Sequence, residues 1–193
     1  TRLNVDAVLS AHREPMADAI DYLAALGHRK IAGILPPEGI RAGRLRSEAI
    51  LSKAKELGLS IGPNHIVHAD PIIGEGRRLA LALLDSDDRP TAIVVGTNQL
   101  TLGVMQAIRE RGLSIPEDIS VIGSDDIVTS AILTPSLTIV WRDMAAFGHK
   151  AAELLISRLD GYSGPARRPT LASELLLRRS CARPPSPGSS DHP

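Results

Sequence analysis

The chain has 193 residues, and its 22 lysines and arginines balance 22 aspartates and glutamates, so the formal net charge at pH 7 is zero. This balance predicts no nucleic-acid-binding surface, and no apolar run approaches the roughly 20 residues of a membrane span. A single cysteine, Cys181, excludes an internal disulfide framework and, with no secretory signal before Thr1, predicts a cytoplasmic protein without a membrane partner.

Apolar runs alternate with segments of helical periodicity along the chain. The predicted strands are residues 6–10, 30–35, 65–68, 91–95, 119–123, 137–140 and 172–178. The predicted helices are residues 15–26, 43–57, 74–84, 98–111 and 143–159. Alternation of strand and helix indicates an α/β fold, a doubly wound parallel sheet with helices on both faces.

The predicted elements divide unevenly along the chain. Residues 28–141 hold enough strands and helices for one complete doubly wound lobe. Residues 1–27 and 142–171 are too short to form a stable sheet alone, and we assign them to a partial second lobe. Residues 172–180 are predicted to be a return strand. Residues 181–193 are rich in Pro, Ser and Gly, which predicts a disordered tail.

The stretch ISVIGSDDIV, residues 119–128, ends an apolar strand in two adjacent carboxylates. Ligands of open parallel sheets bind beyond the carboxyl ends of the strands. We therefore predict that Asp125 faces a cleft, while its neighbour caps the following helix. The helix start RAGRLRSEAI offers Arg44 at the same edge, whereas Arg41 and Arg46 are interpreted as solvated.

Two further predicted strand ends carry candidate ligand-binding residues. In VVGTNQL, either Thr97 or Asn98 must cap the next helix, which leaves the other free to face the cleft. In HADPIIGEG, Pro71 lies at the mouth of the cleft. An arginine and an aspartate together present fixed donors and acceptors, which suits a polyhydroxyl ligand.

The chain carries no motif for a cofactor or for catalysis. No G-x-G-x-x-G follows the first strand of the complete lobe, and no P-loop or G-x-S-x-G occurs. His65 and His68 are spaced for opposite faces of a strand, so they predict no shared metal. His12 lies near the cleft without a nucleophile beside it. We expect no enzyme activity, no cofactor and no metal.

Several stretches resemble, in order and spacing, the lactose-repressor (LacI/GalR) family. They are YLAALGHRKIAGI, GRLRSEAI, residues 89–126 and TPSLTIV. The resemblance implies a type I periplasmic-binding-protein-like effector domain with a complete C-terminal lobe and a partial N-terminal lobe. A small, polar, sugar-like effector would bind in the interlobe cleft, and closure would change DNA affinity through a homodimer. The helix-turn-helix that contacts operator DNA would lie outside this chain.

The resemblance also implies roles for individual residues. Arg44 and Asp125 match the family's charged effector contacts. Other effector positions of the family fall on Thr97, Asn98, Pro71, His12 and Glu14. Part of the family's dimer interface falls on Thr129, Ser130, Ile132 and Leu133. The alternative that the sequence leaves open is a free-standing solute-binding protein of the same fold, exported to the periplasm.

Overall fold

The structure is a computed structural model that describes residues 4–59, 61, 63–125, 131 and 133–185. Each of the five helices and seven strands given above by residue range has a counterpart, and the described residues hold one further strand. The helix expected after Asp126 lies outside the described residues. The elements are β1 (Leu9–Ser10), α1 (Arg13–Ala25), β2 (Ile31–Leu35), α2 (Arg41–Glu56), a 3-10 helix (Pro63–His65), β3 (Ile66–His68), α3 (Ile73–Leu84), β4 (Ala92–Val95), α4 (Asn98–Glu110), β5 (Ser120–Ser124), β6 (Thr138–Trp141), α5 (Met144–Leu159), β7 (Thr170–Leu171) and β8 (Glu174–Leu176).

The main sheet has six strands in the order β3-β2-β4-β5-β6-β8. The first five are parallel, as the alternation of strand and helix predicts, but β8 runs antiparallel to β6. The predicted doubly wound parallel sheet is therefore confirmed for the first five strands, and the return strand β8 is the antiparallel exception. The chain leaves the sheet after β6 at the carboxyl edge and re-enters at the same edge through β7. The returning strand must therefore run in the opposite direction.

Helix α1 packs on the main sheet, which corrects its assignment to the partial second lobe. Met16, Ala19, Ile20 and Leu23 are fully buried in one apolar cluster. That cluster also contains side chains of β2, α2, β4 and β5. The predicted boundary at residue 27 is therefore displaced, because the apolar face of α1 is covered by the larger lobe.

The smaller lobe consists of β1, β7 and α5 in the part of the chain that the structure describes. β1 and β7 pair in parallel, with Leu9 opposite Thr170. Asp6 accepts hydrogen bonds from Arg158 and Arg167, with nitrogen–oxygen distances of 2.9 Å and 2.8 Å. These two guanidinium groups hold the pKa of the Asp6 carboxyl well below its usual range. The ion pairs therefore hold α5 and the segment before β7 against the segment before β1.

The described part of the predicted disordered tail is bound to the main lobe, which corrects the start of that segment. The carbonyl oxygen of Ala182 lies 2.9 Å from Nε2 of His28, whose ring is buried. The backbone N–H of Ala182 donates to Ser120 at 3.1 Å. Burial raises the pKa of the Cys181 thiol to about 11. Residues 186–193 lie outside the described residues.

Glycines allow α3 and α4 to cross at close range. A Cβ added to Gly103 would lie 2.1 Å from the carbonyl oxygen of Ile73, and one added to Gly76 would lie 2.5 Å from that of Leu100. Both contacts are with backbone atoms, so rotation of a side chain cannot relieve them. The close packing of this helix pair therefore depends on the absence of side chains at both positions.

We expect Gly103→Ala to lower the free energy of unfolding by about 1–3 kcal/mol, because the added methyl group overpacks the crossing. Urea unfolding measures this as a lower midpoint at an unchanged slope. Gly74→Ala in α3 is the matched control, since its Cβ would meet nothing within 4 Å. The control should leave stability unchanged or raise it by up to about 1 kcal/mol. Equal midpoints for the two variants would contradict the account of the crossing.

The outer face of α5 is apolar and exposed, and among its described residues only Leu154 is buried. Leu155 and Leu159 are 62% and 77% exposed. We expect the 193-residue chain to bind a hydrophobic dye through this face. Replacing both leucines by Gln should reduce the dye fluorescence, which a titration at constant protein concentration measures. Undiminished fluorescence in the double variant would exclude α5 as the dye site.

Candidate functional site

The candidate site lies at the carboxyl edge of the main sheet, where five parallel strands end. The chain changes direction between β2 and β4, because β3 lies on one side of β2 and β4 on the other. Such a switch point leaves a crevice beyond the strand ends. The segments that follow β2, β4, β5 and β6 carry, in that order, α2, Thr97, Asp125 and Arg142.

Asp125 is held by its backbone and by an arginine that the sequence did not single out. Its φ of 64° is in the left-handed region, and its N–H donates to the carbonyl oxygen of Val140 at 2.9 Å. Nε of Arg142 donates to Oδ1 of Asp125 at 2.7 Å, and a second N–H of Arg142 donates to the same oxygen. The two side chains are 21% and 22% exposed. Asp125 thus lies at the edge, as predicted, while Asp126 falls outside the described residues.

In the structure, Arg46 and not Arg44 lies at the candidate site. Arg44 is 57% exposed and pairs with Glu48 at 3.7 Å, whereas Arg46 is only 4% exposed. The prediction that Arg46 is solvated is therefore wrong, and Arg44 does not take the expected position facing Asp125 across the cleft. The reason is helical phase, since the buried positions of α2 include Gly43, Arg46, Ser47, Ile50 and Ala54.

Arg46 is a buried cation close to Asp125. Burial lowers the pKa of its guanidinium to about 10, and the negative charge of Asp125 opposes that shift. Its Nε is buried and has no hydrogen-bond partner among the residues that the structure describes. The guanidinium remains charged at neutral pH. It can therefore donate to a ligand that enters the crevice.

His12 lies among these cations, at the N-cap of α1. Burial lowers the pKa of its imidazole to about 4, and the positive charges of Arg46, Arg142 and Arg41 act in the same direction. The ring is therefore neutral at pH 7 and can both donate and accept a hydrogen bond. Its position beside the site agrees with the sequence-based expectation that it contacts the effector, which stays a prediction.

The remaining sequence-predicted residues are one helix cap, its half-buried neighbour Asn98 and two exposed positions. Thr97 caps α4, with its Oγ1 accepting from the N–H of Leu100 at 3.3 Å. Oδ1 of Asn98 accepts from the N–H of Gln99 at 2.7 Å, and its contact with a ligand stays a prediction. Glu14 and Pro71 are exposed. The structure thus resolves the choice between Thr97 and Asn98 for the cap.

The arrangement can bind a polar ligand through a fixed set of donors and acceptors. Arg46 and Arg142 supply donors, the second oxygen of Asp125 supplies an acceptor, and the His12 ring supplies one of each. The described residues contain no group of three or more His, Cys, Asp or Glu side chains that could hold a metal. Within the same residues, no helix has the length and apolarity needed to cross a membrane.

The sequence contained signals for the two arginines that it did not single out. Arg46 lies in phase with the buried small and apolar residues of its helix, three positions after Gly43 and four before Ile50. Arg142 directly follows β6, at the same edge where Asp125 follows β5. The pairing of Arg142 with Asp125 could be expected only once β5 and β6 are known to be neighbours.

Comparison with known proteins places this geometry in a family. A family model described as a periplasmic binding protein-like domain matches residues 20–181. The ribose operon repressor of Escherichia coli (strain K12) is 34% identical over 162 residues, which cover 84% of this chain and 49% of that protein.

Two solved structures share the fold. A LacI family transcriptional regulator from Enterococcus faecium with bound ribose gives a TM-score of 0.84 at 25% identity, covering 95% of this chain and 68% of that chain. A dimeric Lac repressor with a C-terminal deletion gives 0.83 at 27% identity, covering 95% of this chain and 66% of its own.

The chain therefore belongs to the periplasmic binding protein-like family, in the branch of LacI/GalR effector-binding domains. This confirms the resemblance and the fold class predicted from the sequence. The chain spans about half the length of the curated relatives it matches. Those relatives are transcriptional repressors.

We expect the His12 ring to titrate near pH 4, well below the ordinary value of 6.5. A proton NMR titration, with the resonance assigned by its loss in His12→Gln, measures this midpoint. Because the unfolded chain binds this proton near pH 6.5 and the folded chain only near pH 4, His12 should make stability fall as the pH drops through that window. A midpoint at 6.5 would show that the ring lies outside the cationic site.

Proposed function

We propose that this chain is the ligand-sensing domain of a DNA-binding transcriptional regulator in the cytoplasm. The observation that carries the proposal is the cluster of Arg46, Asp125, Arg142 and His12 at the carboxyl edge of the main sheet. A small polar effector, such as a sugar, would bind between the lobes at this cluster. The ribose bound to the Enterococcus faecium regulator of the same fold supports an effector of this kind.

The cluster lies where the two lobes are connected. The chain crosses between them after β1, after β6 and after β7. His12 belongs to the crossing after β1, and Arg142 belongs to the crossing after β6. The hydroxyls of Ser10 and Ser173, near the ends of β1 and β7, lie 3.0 Å apart. A ligand that touches His12 and Arg142 would therefore act on the connections themselves. It shifts the balance between open and closed forms only through different affinities for the two forms.

The signal would reach operator DNA through a homodimer and a helix-turn-helix outside this chain. Leu133, one of the predicted interface residues, lines a surface cavity with apolar side chains of α4 and the loop that follows it: Leu102, Met105, Leu113 and Ile115. Thr129, Ser130 and Ile132 lie outside the described residues. The dimeric Lac repressor of the same fold supports this assembly. Gel filtration with light scattering of the complete protein would test it.

A free-standing periplasmic solute-binding protein is the alternative with the same fold. The codons upstream of this segment distinguish the two, because a regulator encodes a helix-turn-helix and an exported protein encodes a signal peptide. Catalysis is not part of the proposal, because the relatives are transcriptional repressors. Unchanged ligand after prolonged incubation with the complete protein would agree with a sensor, whereas turnover would contradict it.

The direct test measures DNA binding by the complete protein. The protein should bind an operator near its own gene in a mobility-shift assay. A thermal-shift screen of sugars, nucleosides and small acids should find an effector, because a ligand of the folded state raises the melting temperature. That effector should change the affinity for operator DNA. A protein that binds the ligand but never DNA would support the solute-binding alternative.

We expect Arg46→Ala and Asp125→Ala each to weaken binding of that effector about tenfold or more, because each removes a charge-assisted hydrogen bond. Isothermal titration calorimetry on the complete protein gives the affinities. Arg44→Ala is the matched control, since it removes an exposed arginine from the same helix. Its affinity should equal that of the unaltered protein. A loss in Arg44→Ala but not in Arg46→Ala would restore the assignment made from sequence.

A further inference from the structure

The last described residues of the chain lie along the amino edge of the main sheet, opposite the candidate site. We call residues 180–185 the strap. The carbonyl oxygen of Ser180 accepts from the N–H of Val121 at 2.9 Å, and its hydroxyl donates to the carbonyl oxygen of Val121 at 2.6 Å. Ser180 is fully buried. The strap is therefore attached to β5 by both main-chain and side-chain hydrogen bonds.

A buried histidine holds the strap at its third residue. The ring of His28, between α1 and β2, is buried, and its Nε2 lies 2.9 Å from the carbonyl oxygen of Ala182 and 3.0 Å from the hydroxyl of Ser120. Because a carbonyl oxygen can only accept, Nε2 carries the proton of the neutral ring. Nδ1 then accepts from the hydroxyl of Thr91, at 2.8 Å. The neutral ring thus has partners on both nitrogens.

Protonation of this ring would place a positive charge among neutral groups. The ring faces two hydroxyls and one carbonyl, from the segment before β4, from β5 and from the strap. The charged neighbours in sequence are engaged elsewhere, since Arg29 donates to main-chain carbonyl oxygens and Lys30 pairs with Asp88 at 2.7 Å. Burial raises the pKa of both Tyr22 in α1 and Cys181 in the strap, so these two groups stay neutral at and below pH 7.

The charged ring is therefore less stable under the strap than in water. Burial lowers the pKa of the His28 imidazole below its ordinary value of 6.5, and the hydrogen bond to Ala182 opposes that shift. Once the strap leaves, the ring meets water and binds a proton near the ordinary value. The docked strap is thus favoured above pH 6.5, and this contribution is lost as the pH falls toward the lowered pKa.

We propose that the strap is held by a pH-sensitive latch and opens locally when His28 binds a proton. The inference is independent of the proposed function. Opening would free the amino ends of both β5 and β6, since the N–H of Thr138 donates to the hydroxyl of Ser180 at 2.8 Å. Ser180 also lines the surface cavity that contains Leu133. The latch therefore lies next to the surface proposed for the homodimer.

Hydrogen exchange resolved by NMR, on the complete protein, measures this opening. The N–H of Ala182, which donates to Ser120 at 3.1 Å, reports on the strap. The N–H of Gly96, which donates to Ile34 at 2.8 Å, reports on the opposite edge of the sheet. After correction for intrinsic exchange, protection of Ala182 should fall about three- to tenfold from about pH 7.5 to about pH 5.5, the range that uptake of one proton allows. Protection of Gly96 should not change.

Variants test whether His28 is the sensor. His28→Gln should abolish the pH effect and keep the strap docked, because the side-chain amide of Gln can donate to Ala182 and does not titrate. His149→Gln, at an exposed position of α5, is the matched control and should retain the effect. The ring resonance of His28 in the unaltered protein needs no variant, and its titration midpoint should lie below 6.5.

Several results would overturn the latch. Equal protection of Ala182 at the two pH values would do so, as would a His28 midpoint at or above 6.5. A pH effect that persists in His28→Gln would show that another group is the sensor. An equal loss of protection at Gly96 would show that the whole sheet opens and not the strap alone. These results leave the effector site and DNA binding untouched, so the sensor function is tested separately.

Discussion

The ion pair between Arg142 and Asp125 is the contact on which the site depends. It joins the residue after β5 to the crossing that leaves β6 for the smaller lobe. Asp125 also donates its backbone N–H to Val140, so both its backbone and its side chain are held by the neighbouring strand and crossing. The pair thereby fixes an acid of the candidate site and orients one of its cations. The negative charge of the same carboxylate also acts on the buried guanidinium of Arg46.

The buried state of Arg46 is a property of the lobe rather than of its helix alone. α2 lies over β2 because its apolar residues join the cluster that α1 and five strands share. That packing places Arg46 on the buried side of the helix and Arg44 on its outer surface. Ser47 on the same face lies 3.2 Å from Nε2 of His68, at the end of β3. The cation is therefore held on the buried face of α2, close enough to Asp125 for the two charges to interact.

The division into lobes follows from where apolar surface is covered. α1 is buried against the larger sheet, whereas α5 leaves most of its apolar side chains exposed. Ion pairs of Asp6 with Arg158 and Arg167 connect the pieces of the smaller lobe. Motion of the smaller lobe would therefore act mainly on its crossings, two of which carry His12 and Arg142.

The sequence by itself determined the elements, the doubly wound order, the position of Asp125 beyond a strand and the family resemblance, because periodicity and strand ends are local properties. Only the tertiary structure decided that β8 is antiparallel, that α1 belongs to the larger lobe, that Thr97 is the cap, and that Arg46 and Arg142 are the arginines of the site. These outcomes depend on which surfaces are covered and which strands are neighbours. Arg44 is exposed, whereas Arg46, two positions further along the same helix, is buried. Only the packing of the helix against the sheet shows which of the two side chains faces inward.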